Sequence, residues 1–321
     1  MEETKLLVIG GTGYVGTRLV QSLLEIGYKV RVTYRSHTKL ALKLWVTHPN
    51  LEKIKVDALD RKSLLKACVG CTDVYYLLHS MMPDQTDYQT LDIIAAENMV
   101  YATNNSSLNH IIYLGGLGGD LTKSSKHLKS RQLVGEILRT ANVPVTILQA
   151  AMIIGSGSAS FEILRYVVER LPIMVTPKWI YTKNQPIAIR NVIKYLLASI
   201  VEQAMIGRTF DIGGPQIVTY RRLMEIYAEE AFLRRRFVIP LPFNDPFQSS
   251  AVFLNRIVPI HSNILKPLVE SLRYEAICHN NEIQKIIHQN NHTISKEYLH
   301  DTNHSDPQFY KLLTKYLQYP L

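Results

Sequence analysis

Residues 6–16 read Leu6-Leu7-Val8-Ile9-Gly10-Gly11-Thr12-Gly13-Tyr14-Val15-Gly16, and this stretch decides the fold. Four consecutive aliphatic residues without polar alternation suit a strand covered on both faces, the habit of a parallel sheet. The glycines follow at once with the spacing Gly10-x-x-Gly13-x-x-Gly16. Behind them Val15, Leu19, Leu23 and Leu24 form one helical stripe, closed by Gly27 as a C-terminal cap. Strand, glycine loop and helix in this order make a phosphate cradle. Gly10 permits the tight turn, Gly13 lets backbone approach a pyrophosphate without a Cβ, and Gly16 lets the helix pack close on the strand. Free N–H groups and the helix dipole then hold the phosphates. A tight βα turn without a ligand is the plainer alternative.

The rest of the first two hundred residues repeats the rhythm. Runs 29–34, 53–56, 74–78, 110–114 and 144–149 read as further strands, with helical segments starting near Tyr14, Thr38, Arg61, Thr86 and Ser124. Such alternation predicts an α/β fold: a doubly wound parallel sheet of the Rossmann type with a smaller C-terminal substrate lobe. After Gly155 a Gly/Ser stretch leads into a helix, and Pro172, Pro177 and Pro186 punctuate an irregular region. A helix over 191–201, a strand over 208–212 and a helix over 220–232 capped by Thr219 follow. The expected division is a nucleotide-binding domain over 1–156, with returning segments in 187–215, and a mixed substrate lobe over 157–321.

With 321 residues, 46% of them hydrophobic, the chain is too apolar for disorder and long enough for one large core or two. The net charge of +9 favours anionic partners. Three cysteines, Cys68, Cys71 and Cys278, make a disulfide framework a poor expectation and a reducing compartment a good one. The opening shows no basic-then-apolar leader, and no apolar run approaches the ~18 residues of a membrane span. A cytoplasmic protein is the expectation, with a membrane-surface contact of the apolar segment 251–272 left open beside its burial in the lobe. The oligomeric state is left open too.

The second strand ends in Val32-Thr33-Tyr34-Arg35-Ser36, with Lys39 close behind. A site for NAD ordinarily places an acid here to bind the ribose hydroxyls; an arginine suits a 2′-phosphate. The expected cofactor is therefore NADP, with NAD as the alternative.

Together these residues resemble the short-chain dehydrogenase/reductase superfamily, and within it the atypical, NmrA-like branch of NAD(P)-binding proteins. Val56-Asp57-Ala58-Leu59-Asp60 is similar to the branch's segment beside the adenine, and 73–81 to its fourth strand and following loop. Residues 92–98, 110–119, 187–192 and 210–215 carry further likeness, which covers about 5–235. The resemblance implies that Gly10, Thr12, Gly13, Tyr14 and Val15 hold pyrophosphate, Arg35 the 2′-phosphate, Asp57 and Ala58 the adenine, and His79 and Ser80 the ribose side.

At the chemistry the chain departs from the family. Its enzymes use a Tyr-x-x-x-Lys pair with a Ser or Thr at the end of the fifth strand. Here the matching helix reads His127-Leu128-Lys129-Ser130-Arg131, and Gly115-Gly116 stand where the hydroxyl belongs. His127 and Arg131 share a helix face. Arg131 can donate to ribose hydroxyls, and His127 can carry a proton near neutral pH, its pKa pushed down by the guanidinium. The expectation is an oxidoreductase acting on a small hydrophobic carbonyl or quinone-like compound. The rival is a non-catalytic NADP(H) sensor or assembly protein; NmrA-like regulators and a Rossmann-fold accessory subunit of respiratory complex I resemble this chain in that respect.

Other patterns read as structure. Cys68-Val69-Gly70-Cys71 suits a helix-to-strand connection, and the pairs His288/His292 and His300/His304 a solvated tail rather than a metal site. Arg221-Arg222 and Arg234-Arg235-Arg236 lack the interleaved aromatics of a nucleic-acid binder, so no nucleic acid and no metal are expected.

Overall fold

The structure, a computed structural model, describes residues 4–79, 87–118, 124–240 and 256–289. Strands β1 (Lys5–Ile9), β2 (Lys29–Tyr34), β3 (Leu51–Lys55), β4 (Asp73–Tyr76), β5 (His110–Gly116) and β6 (Val145–Ala150) come first. Short strands β7 (Ile153–Ile154), β8 (Ile173–Thr176), β9 (Lys183–Asn184) and β10 (Ile187–Ala188) precede β11 (Thr209–Ile212), β12 (Val218–Thr219) and β13 (Phe237–Pro240). Seven of these build one sheet in the order β11-β6-β5-β4-β1-β2-β3. Every pairing in it is parallel. The strand order reverses at β1, between β4 and β2, and such a switch point opens a crevice at the carboxyl ends of the strands.

Helices α1 (Tyr14–Ile26), α2 (His37–Ala41), α3 (Arg61–Cys68), α4 (Tyr88–Asn104) and α5 (Lys126–Leu138) cross between the first six strands. β1 shows why. Leu6 and Val8 are buried in one core with Leu19, Leu23 and Val32, while Leu7 and Ile9 are buried in another with Val74, Met99 and Leu138. A run of four aliphatic residues thus serves two layers, because alternate side chains leave opposite faces of a strand. α7 (Ile189–Val201) completes the first layer with Val192 and Leu196, and its Leu196 carbonyl accepts the hydroxyl of Tyr75 from β4 at 3.0 Å.

A third core joins α6 (Ala159–Arg170), α8 (Tyr220–Glu230) and α9 (Ser262–Ser271) through Phe161, Leu164, Leu223, Tyr227, Leu265 and Val269. The apolar stretch after Val258 is thus buried in part, with Pro267 inside α9. α10 (Glu282–Gln289) returns to the first layer through Ile283 and Ile287.

Several expected boundaries shift by a residue or more, and those of β3, β4 and α4 have identifiable causes. β3 spans Leu51–Lys55 rather than 53–56, because an edge strand with exposed Glu52 and Lys53 lacks the apolar signal that locates a central one. β4 ends at Tyr76, and Leu77 and Leu78 bend into the crevice. α4 begins at Tyr88, capped by Asp87, whose carboxylate accepts the Thr90 N–H. Gly27 caps α1 in the left-handed region, and the Thr219 hydroxyl caps α8, both as expected from the sequence.

The tightest constraint is the crossing of α1 over the end of β1. A Cβ on Gly16 would stand 2.3 Å from the Gly10 carbonyl oxygen and 2.7 Å from the Gly11 Cα. Both obstacles are backbone, so nothing swings aside. Gly16→Ala is expected to cost about 1–3 kcal/mol, the range for overpacking a tight contact. A fall in denaturant midpoint at unchanged slope shows it; an unchanged midpoint means α1 does not sit this close.

Candidate functional site

The crevice at the switch point is a cleft of about 640 Å³. Its floor is the glycine loop. Gly10 has φ +82°, and a Cβ there would meet the Leu77 carbonyl oxygen at 2.8 Å. Gly11 is as restricted, since its Cβ would stand 2.1 Å from Val32 Cγ2, a contact the glycine spacing alone does not reveal. Gly13 is different: a Cβ there meets one neighbour within 4 Å, the Gly10 carbonyl oxygen at 3.2 Å. Space in front of Gly13 is what a cradle for a phosphate requires. Gly13 is also the N-cap of α1, with no side-chain cap and no acidic residue in the first turn, so the positive end of the helix faces the cleft. Thr12, Gly13, Tyr14 and Val15 line the same floor. The loop is held from behind: Gly10 N–H donates to Thr33 Oγ1 at 3.2 Å, and Trp45 Nε1 donates to the Thr17 carbonyl at 3.0 Å. These features fit a dinucleotide's pyrophosphate.

At one end of the cleft, beyond β2, stand Tyr34, Arg35, Ser36 and Lys39, with Asp57 and Ala58 opposite. The Asp57 carboxylate accepts the Leu59 N–H at 3.0 Å, and the Ala58 carbonyl accepts Asn98 Nδ2 at 3.1 Å, which fixes this turn. Lys43 lies near Arg18 and Lys39; burial and then these two cations hold its pKa below the ordinary lysine value. Positive charge is therefore concentrated beside the end of β2.

At the other end the cleft is lined by Leu78, His79, Gly115, Gly116, His127 and Arg131. Arg131 does more than face a ligand. Its Nη1 donates to the Leu78 carbonyl at 2.8 Å and its Nη2 to the Leu114 carbonyl, joining the ends of β4 and β5. Its guanidinium lies 4.8 Å from the ring centre of Tyr113, whose hydroxyl donates to the Arg131 carbonyl at 2.8 Å. Two of its donors are thus committed to backbone, which the helix spacing gave no means to foresee.

His79 lines the cleft and has neighbours behind it as well. Its Nε2 lies 3.0 Å from His127 Nε2, and its Nδ1 lies 3.4 Å from Asp92 Oδ2. Burial lowers both histidine pKa values, most for His127. For His127 the neighbouring His79 adds to this, and Arg131, the cause expected from the sequence, ranks third. Both imidazoles are therefore neutral at pH 7. Asp92, buried within α4, and Ser271 of α9 belong to this cluster; neither one is among the site residues expected from the sequence. Ser80 lies outside the described residues, as do His292, His300 and His304 and the side chain of His288.

The other patterns take their places. Cys68 ends α3 and is buried, its thiol pushed up to about 12 mainly by burial; Cys71 is buried as well. Among the described residues no group of three or more His, Cys, Asp and Glu could hold a metal ion. Arg221 and Arg222 pair with Glu225 and Glu229 on the surface of α8. Arg236 donates to the Val168 and Glu169 carbonyls. Among the described residues no helix is long and apolar enough to cross a membrane.

Residues 10–164 match a family model described as NAD(P)H-binding. This part of the chain is thus similar to NAD(P)H-binding domains. Solved structures share the fold of the NAD(P)H-binding domain and of the segments that follow it. A Citrobacter sp. triphenylmethane reductase complexed with NADP(H) aligns with TM-score 0.69 at 22% identity, over 88% of this chain and 95% of that one. A nucleoside-diphosphate-sugar epimerase from Staphylococcus aureus aligns with TM-score 0.68 at 15% identity, over 89% and 96% of the two chains. Among curated relatives, subunit 9 of the mitochondrial NADH dehydrogenase (ubiquinone) 1 alpha subcomplex of Arabidopsis thaliana is 24% identical over 259 residues, 78% of this chain and 64% of that protein. The photosystem II assembly factor Ycf39 of Cyanophora paradoxa is 25% identical over 213 residues, 65% of this chain and 63% of its own length. The matches thus span less than two thirds of these relatives.

Two outcomes check the electrostatics and the bonding of the site. Histidines held neutral by burial lose stability as pH falls, because the unfolded chain takes up protons that the folded one refuses. His79, His110 and His127 all have lowered pKa values, so the unfolding free energy should fall as pH drops below about 6.5. In His127→Gln that slope should be shallower; an identical slope refutes the assignment. Arg131→Leu strands two backbone carbonyls and should cost about 2 kcal/mol or more in the protein without ligand. Unchanged stability would make Arg131 a ligand-facing group alone.

Proposed function

We propose that the protein is an NADP(H)-dependent oxidoreductase of the atypical, NmrA-like branch, reducing a small hydrophobic carbonyl or quinone-like compound. The observation that carries the cofactor choice is the cationic group at the end of β2. Arg35 and Lys39 line the cleft there, with Arg18 and Lys43 close by, where a cofactor lacking the 2′-phosphate would call for a carboxylate. In this reading Gly10, Thr12, Gly13, Tyr14 and Val15 receive the pyrophosphate, Arg35 and Lys39 the 2′-phosphate, and Asp57 and Ala58 border the adenine.

The bound cofactor supplies a hydride. What remains for the protein is to orient it, to exclude water and to move one proton. His127 exchanges the proton, while Arg131 fixes the wall from which His127 projects. An apolar chamber of about 100 Å³ supports a hydrophobic substrate. It shares Met152, Ser160 and Leu268 with the cofactor cleft and continues inward past Leu164, Trp179 and Met224. We take 1–156 with the returning segments in 187–215 as the cofactor half and 157–321 as the substrate half. The separate core around α6, α8 and α9 supports that division as far as Ser271, whereas α10 packs back on the cofactor half through Ile283 and Ile287.

One observation favours a second reading. The site lacks the Tyr-x-x-x-Lys pair, and Arg131 commits two donors to backbone. A non-catalytic NADP(H) sensor or assembly protein needs the cradle and no proton donor, and two similar proteins are a respiratory subunit and an assembly factor.

Fluorescence titration separates the cofactors. NADPH should bind more tightly than NADH, and Arg35→Ala should weaken NADPH by about 10-fold to 100-fold, the value of a charge-assisted contact, while sparing NADH. Equal loss for both removes the 2′-phosphate assignment. Quinones and aldehydes screened by NADPH absorbance then decide between the readings: turnover abolished in His127→Ala supports the reductase, and binding without turnover supports the sensor.

A further inference from the structure

The histidine pair has a structure beyond proximity. His79 leaves the end of β4, His127 stands in the first turn of α5, and their Nε2 atoms are 3.0 Å apart. Asp92, 3% exposed, closes one side at 3.4 Å from His79 Nδ1 and accepts the Ser130 hydroxyl at 3.2 Å. On the other side His127 Nδ1 lies 3.4 Å from Ser271 Oγ, which is 2.8 Å from Ser125 Oγ.

These contacts have a direction. His79 Nδ1 faces the Asp92 carboxylate at 3.4 Å without closing a hydrogen bond; because an ionised carboxylate only accepts, this places the proton of neutral His79 on Nδ1 and leaves its Nε2 to accept. His127 must then donate from Nε2, which leaves its Nδ1 without a proton, 3.4 Å from Ser271 Oγ, while the Ser271 hydroxyl itself donates to the Pro267 carbonyl at 2.9 Å. Ser125 Oγ already takes the Leu128 N–H at 3.2 Å, and its own proton is directed to Ser271. His127, His79 and Asp92 thus stand in one row that ends on a buried carboxylate.

We propose that Asp92, His79 and His127 form a single acid–base unit, in which His127 exchanges the proton with the substrate while His79 and Asp92 are positioning residues that hold it in reserve. This rests on the reductase reading of the cleft. In loading, one proton enters at His127 Nδ1 and the His127 Nε2 proton crosses to His79 Nε2. His79 then carries two protons against the Asp92 carboxylate, and His127 stays neutral. In discharge His127 Nδ1 gives up its proton and Nε2 recovers one from His79. One proton enters and one leaves, and no bond between heavy atoms changes.

The surroundings favour the charge on His79. Arg131 from α5 opposes positive charge on either ring, whereas Asp92 from α4 supports it on the ring it touches. Tyr88 of α4 stands edge-on to His79 at 6.3 Å with Glu270 of α9 near it, and Tyr76 and Tyr113 of the sheet lie close to Asp92 and Arg131. Burial raises the pKa of all three tyrosines, which keeps them neutral. Proton handling is thus divided between two imidazoles, with contact at His127 and storage at His79.

Ring-nitrogen NMR on the full chain labelled with ¹⁵N-histidine tests this without cofactor or substrate, with His79→Gln and His127→Gln supplying the assignments. At neutral pH His79 should carry its proton on Nδ1 and His127 on Nε2, and acidification should load His79 first. Asp92→Asn should lower the His79 pKa and remove its tautomer preference. The reverse tautomers, or loading of His127 first, overturn the proposal, as does an unchanged His79 in a folded Asp92→Asn; should that variant not fold, the wild-type tautomers decide. NADPH titration of the same samples keeps the two readings apart. Lost NADPH binding with the stated tautomers refutes the reductase reading, and reversed tautomers with NADPH bound refute the proton unit.

Discussion

Backbone meeting backbone where α1 crosses the end of β1 is the contact on which the rest depends. Gly16 lies against the Gly10 carbonyl and the Gly11 Cα, and Gly10 against Leu77 at the end of β4. Three close approaches at one corner bring the helix N-terminus, the loop and the neighbouring strand end together. A side chain at any of them would push α1 outward and turn its positive end from the cleft. The cradle, the switch point in strand order and the opening between β1 and β4 are consequences of that packing.

The opposite wall depends on a different device. The Leu78 carbonyl just past β4 and the Leu114 carbonyl of β5 are both taken up by the Arg131 guanidinium, which lies over Tyr113. A fork of fixed geometry suits this better than a single ammonium. Arg131 is thus occupied partly with holding the wall. In the proposed reductase reading, that leaves the proton to His127 and its neighbours.

The fold was largely legible because its signals are local. Leu6–Ile9 serving two layers, the stripe on α1, the Gly27 and Thr219 caps and the glycine spacing each follow from residues a few positions apart. The site was legible where it rests on backbone, at Gly10, Gly13 and Gly16, and at the cationic end of β2. It was not legible where it depends on contacts distant in sequence. Asp92 reads as one more polar residue on a helix, and Ser271 lies 144 positions from the histidine it meets. His79, expected along the ribose, turns its nitrogens to Asp92 and His127 because α4 and α5 pack side by side. Spacing along a helix places side chains on a face and leaves open what waits across it.

A crystal structure with NADPH tests the central claim most directly. We predict the pyrophosphate over Gly13 at the start of α1, the 2′-phosphate within hydrogen-bond distance of Arg35 and Lys39, and the nicotinamide beside His127. A nicotinamide placed at the β2 end, or a 2′-phosphate in solvent away from Arg35 and Lys39, would contradict it.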